Sequence, residues 1–416
     1  MTTYRTRPAT AGFDLTDQSL FAGGFPYGLF ARLRRETPVF FHPGPRPGAD
    51  GFWVFTRYSD ISMAAARDPG EFSAQGGAPR VGGGSHLEDL EIGVLAGVMM
   101  PMLDDPRHAL LRRAFHPALC LPDAEARLRG FADDLVTETL AGGTVNAARL
   151  AERFAVRCVS ALLGVPARDL PQLEHWAASV TGFVNRRTGQ VDDDSRRVFA
   201  EILAYANALV AAKRVRPDLD ATSVLARAEL PEGRDQPPIT QREREVNFQH
   251  FLLTGVEQPR NTIAGGLHGF ATHPDQWRAL RADRALLPSA VEEVLRWAPP
   301  NPYNRRTATR DVQLRDQLIR AGDKVTLWWP SANRDDSVFA DPDRFDVARN
   351  PNPHLSFGHG PHHCLGDEFA RLQVRVLLEA LLARVAEIDL AGPVRWAPNS
   401  KHTVLLDLPV VITRSR

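Results

Sequence analysis

Ten residues, Phe357-Gly358-His359-Gly360-Pro361-His362-His363-Cys364-Leu365-Gly366, constrain this chain more than any other stretch. Its three glycines let the backbone turn tightly and come close to a flat ligand. The segment runs into an apolar-periodic helix expected over 365–385, so Cys364 sits beside backbone N–H groups that lack intrahelical partners. Those donors, with the positive end of the helix, favour a thiolate over a thiol. Phe357 can pack beside the sulfur and limit water, which would otherwise weaken a sulfur–metal bond. A lone cysteine in a helical protein is more often simple packing, so the neighbours must decide.

Composition narrows the setting. The chain has 416 residues, 43% of them hydrophobic, and 50 basic residues balance 50 acidic ones. No global field draws it to nucleic acid or to an anionic membrane. Lys213, Lys324 and Lys401 are the only lysines, and the arginine excess says more about coding bias than about function. Three cysteines, Cys120, Cys158 and Cys364, are too few and scattered for a disulfide framework. Residues 1–21 are polar and read as neither a signal peptide nor an anchor. The apolar run 92–102 is about half of what a membrane span needs. A reducing cytoplasm is the expected location, with no membrane or nucleic-acid partner.

Periodicity predicts a mainly α protein with a minor β region, in one domain over 1–416. Three-to-four spacing of apolar residues marks helices over 26–36, 57–68, 106–116, 123–140, 147–163, 196–213, 240–272, 288–297 and 365–385. The 240–272 helix is interrupted at Pro259. Strands are expected in three parts, roughly 37–56, 305–330 and 386–416. Residues 75–84, loaded with Gly and Pro, read as a loop of the kind that forms lids.

The cysteine loop resembles the haem-binding loop of the cytochrome P450 family, with its Phe, Gly, Gly, His, Cys and Gly in place and Ala370-Arg371 following. Eight matched positions, each met by chance about once in twenty, exclude coincidence. The resemblance covers nearly the whole chain and implies the family's fold, helices around haem b with small antiparallel sheets. It makes Cys364 the proximal thiolate ligand of iron, with Phe357, Gly358 and Gly366 shaping the loop; such ligation favours O–O cleavage. Zinc on His354, His359, His362, His363 and Cys364 is the rival, though the paired ligand spacings of zinc sites are missing. Glu293-Val294-Leu295-Arg296 resembles the family's Glu-x-x-Arg element, with Arg344 in the third role, and Ala332-Asn333-Arg334-Asp335 also matches. The two haem propionates need cations in an apolar pocket. His108 and Arg112, four apart on one helical face, are candidates, and the resemblance adds Arg306 and His362.

One element breaks the pattern. The family's central helix carries Ala/Gly-Gly-x-Asp/Glu-Thr-Thr, whose acid and first threonine organise water and deliver protons. Here the sequence is Thr254-Gly255-Val256-Glu257-Gln258-Pro259-Arg260. Gly255 and Glu257 remain, but Gln258 stands where the threonine is expected. Pro259 removes the helical donor of the Gly255 carbonyl and should kink the helix. Gln258 can hold water but offers no hydroxyl to a short relay, and Thr254, one turn earlier, can partly substitute. Neutral drift is the plain alternative. The functional reading is that proton delivery is less demanding than in hydroxylation. Oxidative C–C or C–N coupling of an aromatic substrate tolerates that. So does a peroxide-driven reaction, but that branch of the family carries an arginine before the proline, and Gln258 is uncharged.

The resemblance also suggests a tailoring enzyme acting on an aromatic bacterial natural product, such as a cyclic dipeptide. By position, Val98, Met99, Phe248, Leu252, Val256, Asn301, Asn304 and His402 are expected to wall the substrate pocket. Ferredoxin and ferredoxin reductase are the expected electron donors, drawn to Arg107, Arg112, Arg113 and Arg349. Ordinary hydroxylation and a haem protein without turnover are the alternatives.

Overall fold

In this computed structural model the described residues are 12–44, 50–67, 70–76, 97–120, 122–141, 143–181, 184–230 and 236–415. The expected loop over 75–84 falls largely outside them, as do residues 92–96 of the run 92–102.

The helices follow the apolar spacing closely. Ala147–Leu163 begins where the Asn146 side chain accepts from Ala148 N–H, and stops at Gly164, whose φ of 64° is the left-handed conformation glycine tolerates. The central helix, Gln241–Thr272, opens on a reciprocal capping box between Thr240 and Glu243. Its 32 residues span about 48 Å. It runs unbroken through Pro259, so the expected interruption does not divide it, and both sides are held by dense packing. Four α-helices escaped the periodicity reading: Leu170–Ser179, Ala221–Arg227, Pro274–Ala282 and Trp329–Ala332. Each has 10 residues or fewer, which leaves few periods to read.

The main sheet has five strands: β1 (Val39–His42), β2 (Phe52–Phe55), β3 (Phe72–Ser73), β4 (Tyr303–Ala308) and β5 (Lys324–Trp328). Their order is β1-β2-β5-β4-β3. β5 runs parallel to β2, pairing Lys324 with Phe52, and antiparallel to β4, pairing Trp328 with Tyr303. β2 is buried along its whole length, which explains an unalternating Phe-Trp-Val-Phe. A second sheet joins Val385–Leu390, Pro409–Arg414 and Thr144–Asn146. All three expected β-rich parts therefore hold strands.

The largest apolar core lies among the central helix, Ala147–Leu163, Ala124–Leu140 and the C-terminal helix Asp367–Arg384. These helices leave one wide gap, between the middle of the central helix and the loop that precedes Asp367.

Candidate active site

The gap is a cavity of about 1630 Å³ including its mouth. Cys364 lines one wall and Thr254, Gly255 and Gln258 line the opposite one. The cysteine loop is fixed from three sides. Gly358 and Gly360 have φ of 74° and 71°, and a Cβ at Gly360 would lie 2.5 Å from the Ala65 carbonyl, so only glycine seats the loop on that helix end. Arg371 lies 4.6 Å above the Phe357 ring and pairs with Glu292 and Asp367 at 2.8 and 2.7 Å. Arg112 donates to the His363 carbonyl at 2.6 Å. Cys364 N–H donates back to the Phe357 carbonyl at 2.8 Å, leaving the sulfur open to the cavity. Burial pushes the thiol above its ordinary pKa; the Gly366 N–H, Arg112 and Arg371 oppose this without reversing it. The helix end alone therefore does not secure the thiolate, and a bound cation's charge would.

Whether haem fits can be tested on charge. No carboxylate lines this cavity among the described residues, yet His108, Arg112, Arg306 and His362 all do. The His108 and His362 rings stack at 3.9 Å. Burial, then Arg306, His108 and Arg112, push His362 down to about 2. Burial lowers His108 as well, against the opposing pull of Asp105. Such a gathering of donors beside an open sulfur suits a flat ligand with two carboxylates. Zinc does not suit it: among the described residues no cluster of three metal-ligating side chains occurs. His354 is held by Glu292 at 3.1 Å and His363 by Asp367 at 3.2 Å.

Other expected residues fall elsewhere. Glu257 does not face the cavity. It is buried against Arg186 at 2.6 Å and accepts from Asn261 at 2.6 Å. Burial would raise its pKa, but Arg186, His402, Arg260 and Asn261 together bring it below the ordinary value. Gly255 lines the cavity with its backbone. A Cβ there would lie 2.9 Å from Val159, so its smallness also serves close packing of two helices. Thr254 faces the cavity, but its hydroxyl donates to the His250 carbonyl at 2.6 Å.

A second cavity of about 870 Å³ opens beside the first and shares Pro101, His250, Thr254, Gln258, Asn301, Asn304 and Arg306 with it. Met99 and His402 line it as expected. Phe248, Leu252 and Val256 do not line either large cavity: Phe248 is core, and the other two border a small pocket with Glu257. They form the apolar stripe that packs on neighbouring helices. The stripe over the cavity is His250, Thr254 and Gln258, polar residues at intervals of four on a buried helix, and that polarity was the readable signal. His250, pushed down to about 4 by burial, is neutral at physiological pH. Val98 packs half-buried against Met99, Met102 and Val246 and lines neither cavity.

Two arginine assignments also change. Glu293 and Arg296 are fully buried, joined by two bonds of 2.7 Å. The third member is Arg349, at 3.2 Å from Glu293, whereas Arg344 contributes only its backbone carbonyl. Arg349 is therefore no surface charge. Nor is Arg107 free for a partner, being paired with Glu243 at 2.6 Å.

Comparisons agree with this geometry. The family description "Cytochrome P450" matches residues 183–386. A Mycobacterium tuberculosis protein named as cytochrome P450 126 is 39% identical over 97% of this chain and 98% of its own length. The methyl-branched lipid omega-hydroxylase of the same species is 38% identical over 87% of this chain and 85% of its own. Among solved structures, Mycobacterium marinum cytochrome P450 CYP268A2 in complex with pseudoionone superposes with a TM-score of 0.86 at 29% identity, covering 99% of this chain and 100% of that one. The site defines a haem-thiolate protein. The chain belongs to the cytochrome P450 family, with haem b as cofactor and Cys364 as its axial ligand. No helix among the described residues is long and apolar enough to cross a membrane.

Proposed function

We propose that this P450 tailors an aromatic natural product by oxidative coupling, with its whole length as one catalytic unit. One observation carries the reading: among the described residues, the wall facing Cys364 holds no group ready to give up a proton. Gln258 replaces the hydroxyl and its buried Oε1 has no partner among the described residues. The hydroxyl of Thr254 is spent on a carbonyl, Glu257 is turned away, and His250 is unprotonated. When bound, thiolate-ligated haem supplies a strongly oxidising centre that activates dioxygen. Coupling, written 2 Ar–H + O₂ + 2 e⁻ + 2 H⁺ → Ar–Ar + 2 H₂O, takes two further hydrogens from the substrates. The two protons of the equation are needed in coupling as in oxygen insertion, so a substrate N–H or O–H has to relay them where the wall does not. His108, Arg112, Arg306 and His362 hold the propionates in this reading, and Asn301, Asn304, Met99 and His402 shape the substrate space. Oxygen insertion is the second reading, favoured by the hydroxylase name of the lipid-acting relative.

Product mass decides between them. With ferredoxin, its reductase and indole- or phenol-bearing cyclic dipeptides, coupling gives two partners less two hydrogens. Gln258→Thr should raise the share of singly oxygenated product at least several-fold. A wild-type enzyme yielding only gain of one oxygen would overturn the coupling reading.

Electrons come from an acidic ferredoxin in this proposal, and Arg113 is the exposed one of the four arginines expected to draw it. Arg113→Glu should slow ferredoxin-driven turnover about tenfold at low ionic strength and less at high. An unchanged rate and salt dependence would remove Arg113 from that interface.

A further inference from the structure

Four cationic side chains line the two joined cavities, Arg112, Arg305, Arg306 and Lys401, and among the described residues no carboxylate does. Two of them, Arg112 and Arg306, line the haem cavity, where two propionates would answer them. Lys401 lines only the second cavity, outside the reach of that pairing.

Lys401 is 7% exposed. Its ammonium donates to the Tyr303 carbonyl and lies 4.5 Å from the centroid of the Tyr303 ring. Burial, then Arg306 and Arg305, push its pKa well below the ordinary lysine value, and among the described residues no acid counteracts them. A buried ammonium held by one carbonyl and a ring face lacks the anion that normally accompanies it. Gln249, from another element, belongs to the lining of the same cavity and is 1% exposed, and its amide nitrogen and oxygen have no hydrogen-bond partner among the described residues. Both atoms are closed off from the cavity, so the amide must turn to meet a group that arrives, which would satisfy it.

We infer that the substrate carries a carboxylate, held by the Lys401 ammonium with the Gln249 amide N–H. The apolar body of that acid then runs along Met99, Met102, Phe199 and Leu253 toward the shared opening by Thr254 and Gln258. The ligand class is an aryl or long-chain carboxylic acid. The carboxylate end lies on the side of the cavity that Cys364 does not reach, which presents the opposite end for oxidation. This rests on the cavity being the substrate site of the proposed enzyme, but its test reads binding and not product.

The test is a titration of the haem-loaded enzyme, following the Soret band and, for silent ligands, heat. The probes are 3-(indol-3-yl)propanoic acid, its carboxamide and its methyl ester, with dodecanoic acid and its methyl ester. The acid of either series should bind at least tenfold tighter than its neutral counterpart. Lys401→Met should bring that ratio within twofold of one, Lys401→Arg should keep it, and Gln249→Leu should weaken the acid alone. A neutral form binding as tightly as the acid, or no acid binding at all, overturns the inference. So does a ratio untouched by Lys401→Met. If that variant does not fold, the wild-type ratio and Lys401→Arg decide. Tight acids that give only oxygenated products would retain the carboxylate anchor and discard coupling.

Discussion

Replacing Glu293 by Gln should remove about 3–5 kcal/mol of stability, a large fraction of what a protein of ordinary marginal stability has. Its carboxylate accepts from Arg296 twice at 2.7 Å, from Asp346 N–H at 2.8 Å, from Asn352 at 3.1 Å and from Arg349 at 3.2 Å. Removing the charge leaves two buried guanidinium groups with a neutral amide between them. Much of the penalty is theirs, since the pair as a whole need not have stabilised the fold over a well-packed apolar alternative. Thermal unfolding and the yield of soluble haem-loaded protein would read the loss. Arg349→Ala should be nearly as severe, whereas Arg344→Ala, an exposed side chain, should stay within about 0.5 kcal/mol. Equal losses from the two arginine variants would restore Arg344 to the third role.

Cys364→Ala should bring turnover down to the rate without enzyme, a fall of at least about a thousandfold, or roughly 4 kcal/mol of lost barrier reduction. The fold should survive, because the sulfur faces the cavity and the neighbouring loop is held by Gly360, Arg112 and Arg371. The spectrum of the reduced carbon-monoxide complex is the sharper reading. It should lose the red-shifted band of a thiolate ligand while haem is still retained by the propionate cations. An unshifted band in Cys364→Ala would mean that another residue ligates iron.

The parts of this protein legible in its sequence were those governed by local rules. Ala147–Leu163 could be read to the residue because Asn146 and Gly164 bracket an uninterrupted apolar stripe. The loop before Asp367 was legible because its glycines, Phe357 and Cys364 each answer a steric or chemical demand within ten residues. Rotation of the central helix was not. Phe248, Leu252 and Val256 were expected in the pocket wall by their position in the sequence. An apolar stripe on a helix of a helical body is what neighbouring helices bury, and a reactive cavity takes the mixed face. Arg344 and Arg349 stand five residues apart in one loop, and no property of either side chain tells which one turns inward. That is set by Asp346, whose N–H the buried carboxylate captures. Glu257 has the right type and place in sequence for a relay, but its partner Arg186 comes from a distant segment that no local pattern connects to it.

The contact of Gly360 with Ala65 has a consequence for how the protein is made. Walls of the ligand space come from around residues 100–112, 250–262, 300–306 and 356–374, and the loop bearing the sulfur rests on a helix end near residue 65. A ribosome releases these pieces in order, so the first support waits through most of synthesis for the last one. Until the final hundred residues emerge, the cations meant for the propionates have neither the sulfur nor His362 beside them. Capture of the cofactor is therefore a closing event of biogenesis, and a chain truncated before Cys364 lacks both the sulfur and the helix Asp367–Arg384 that completes the core.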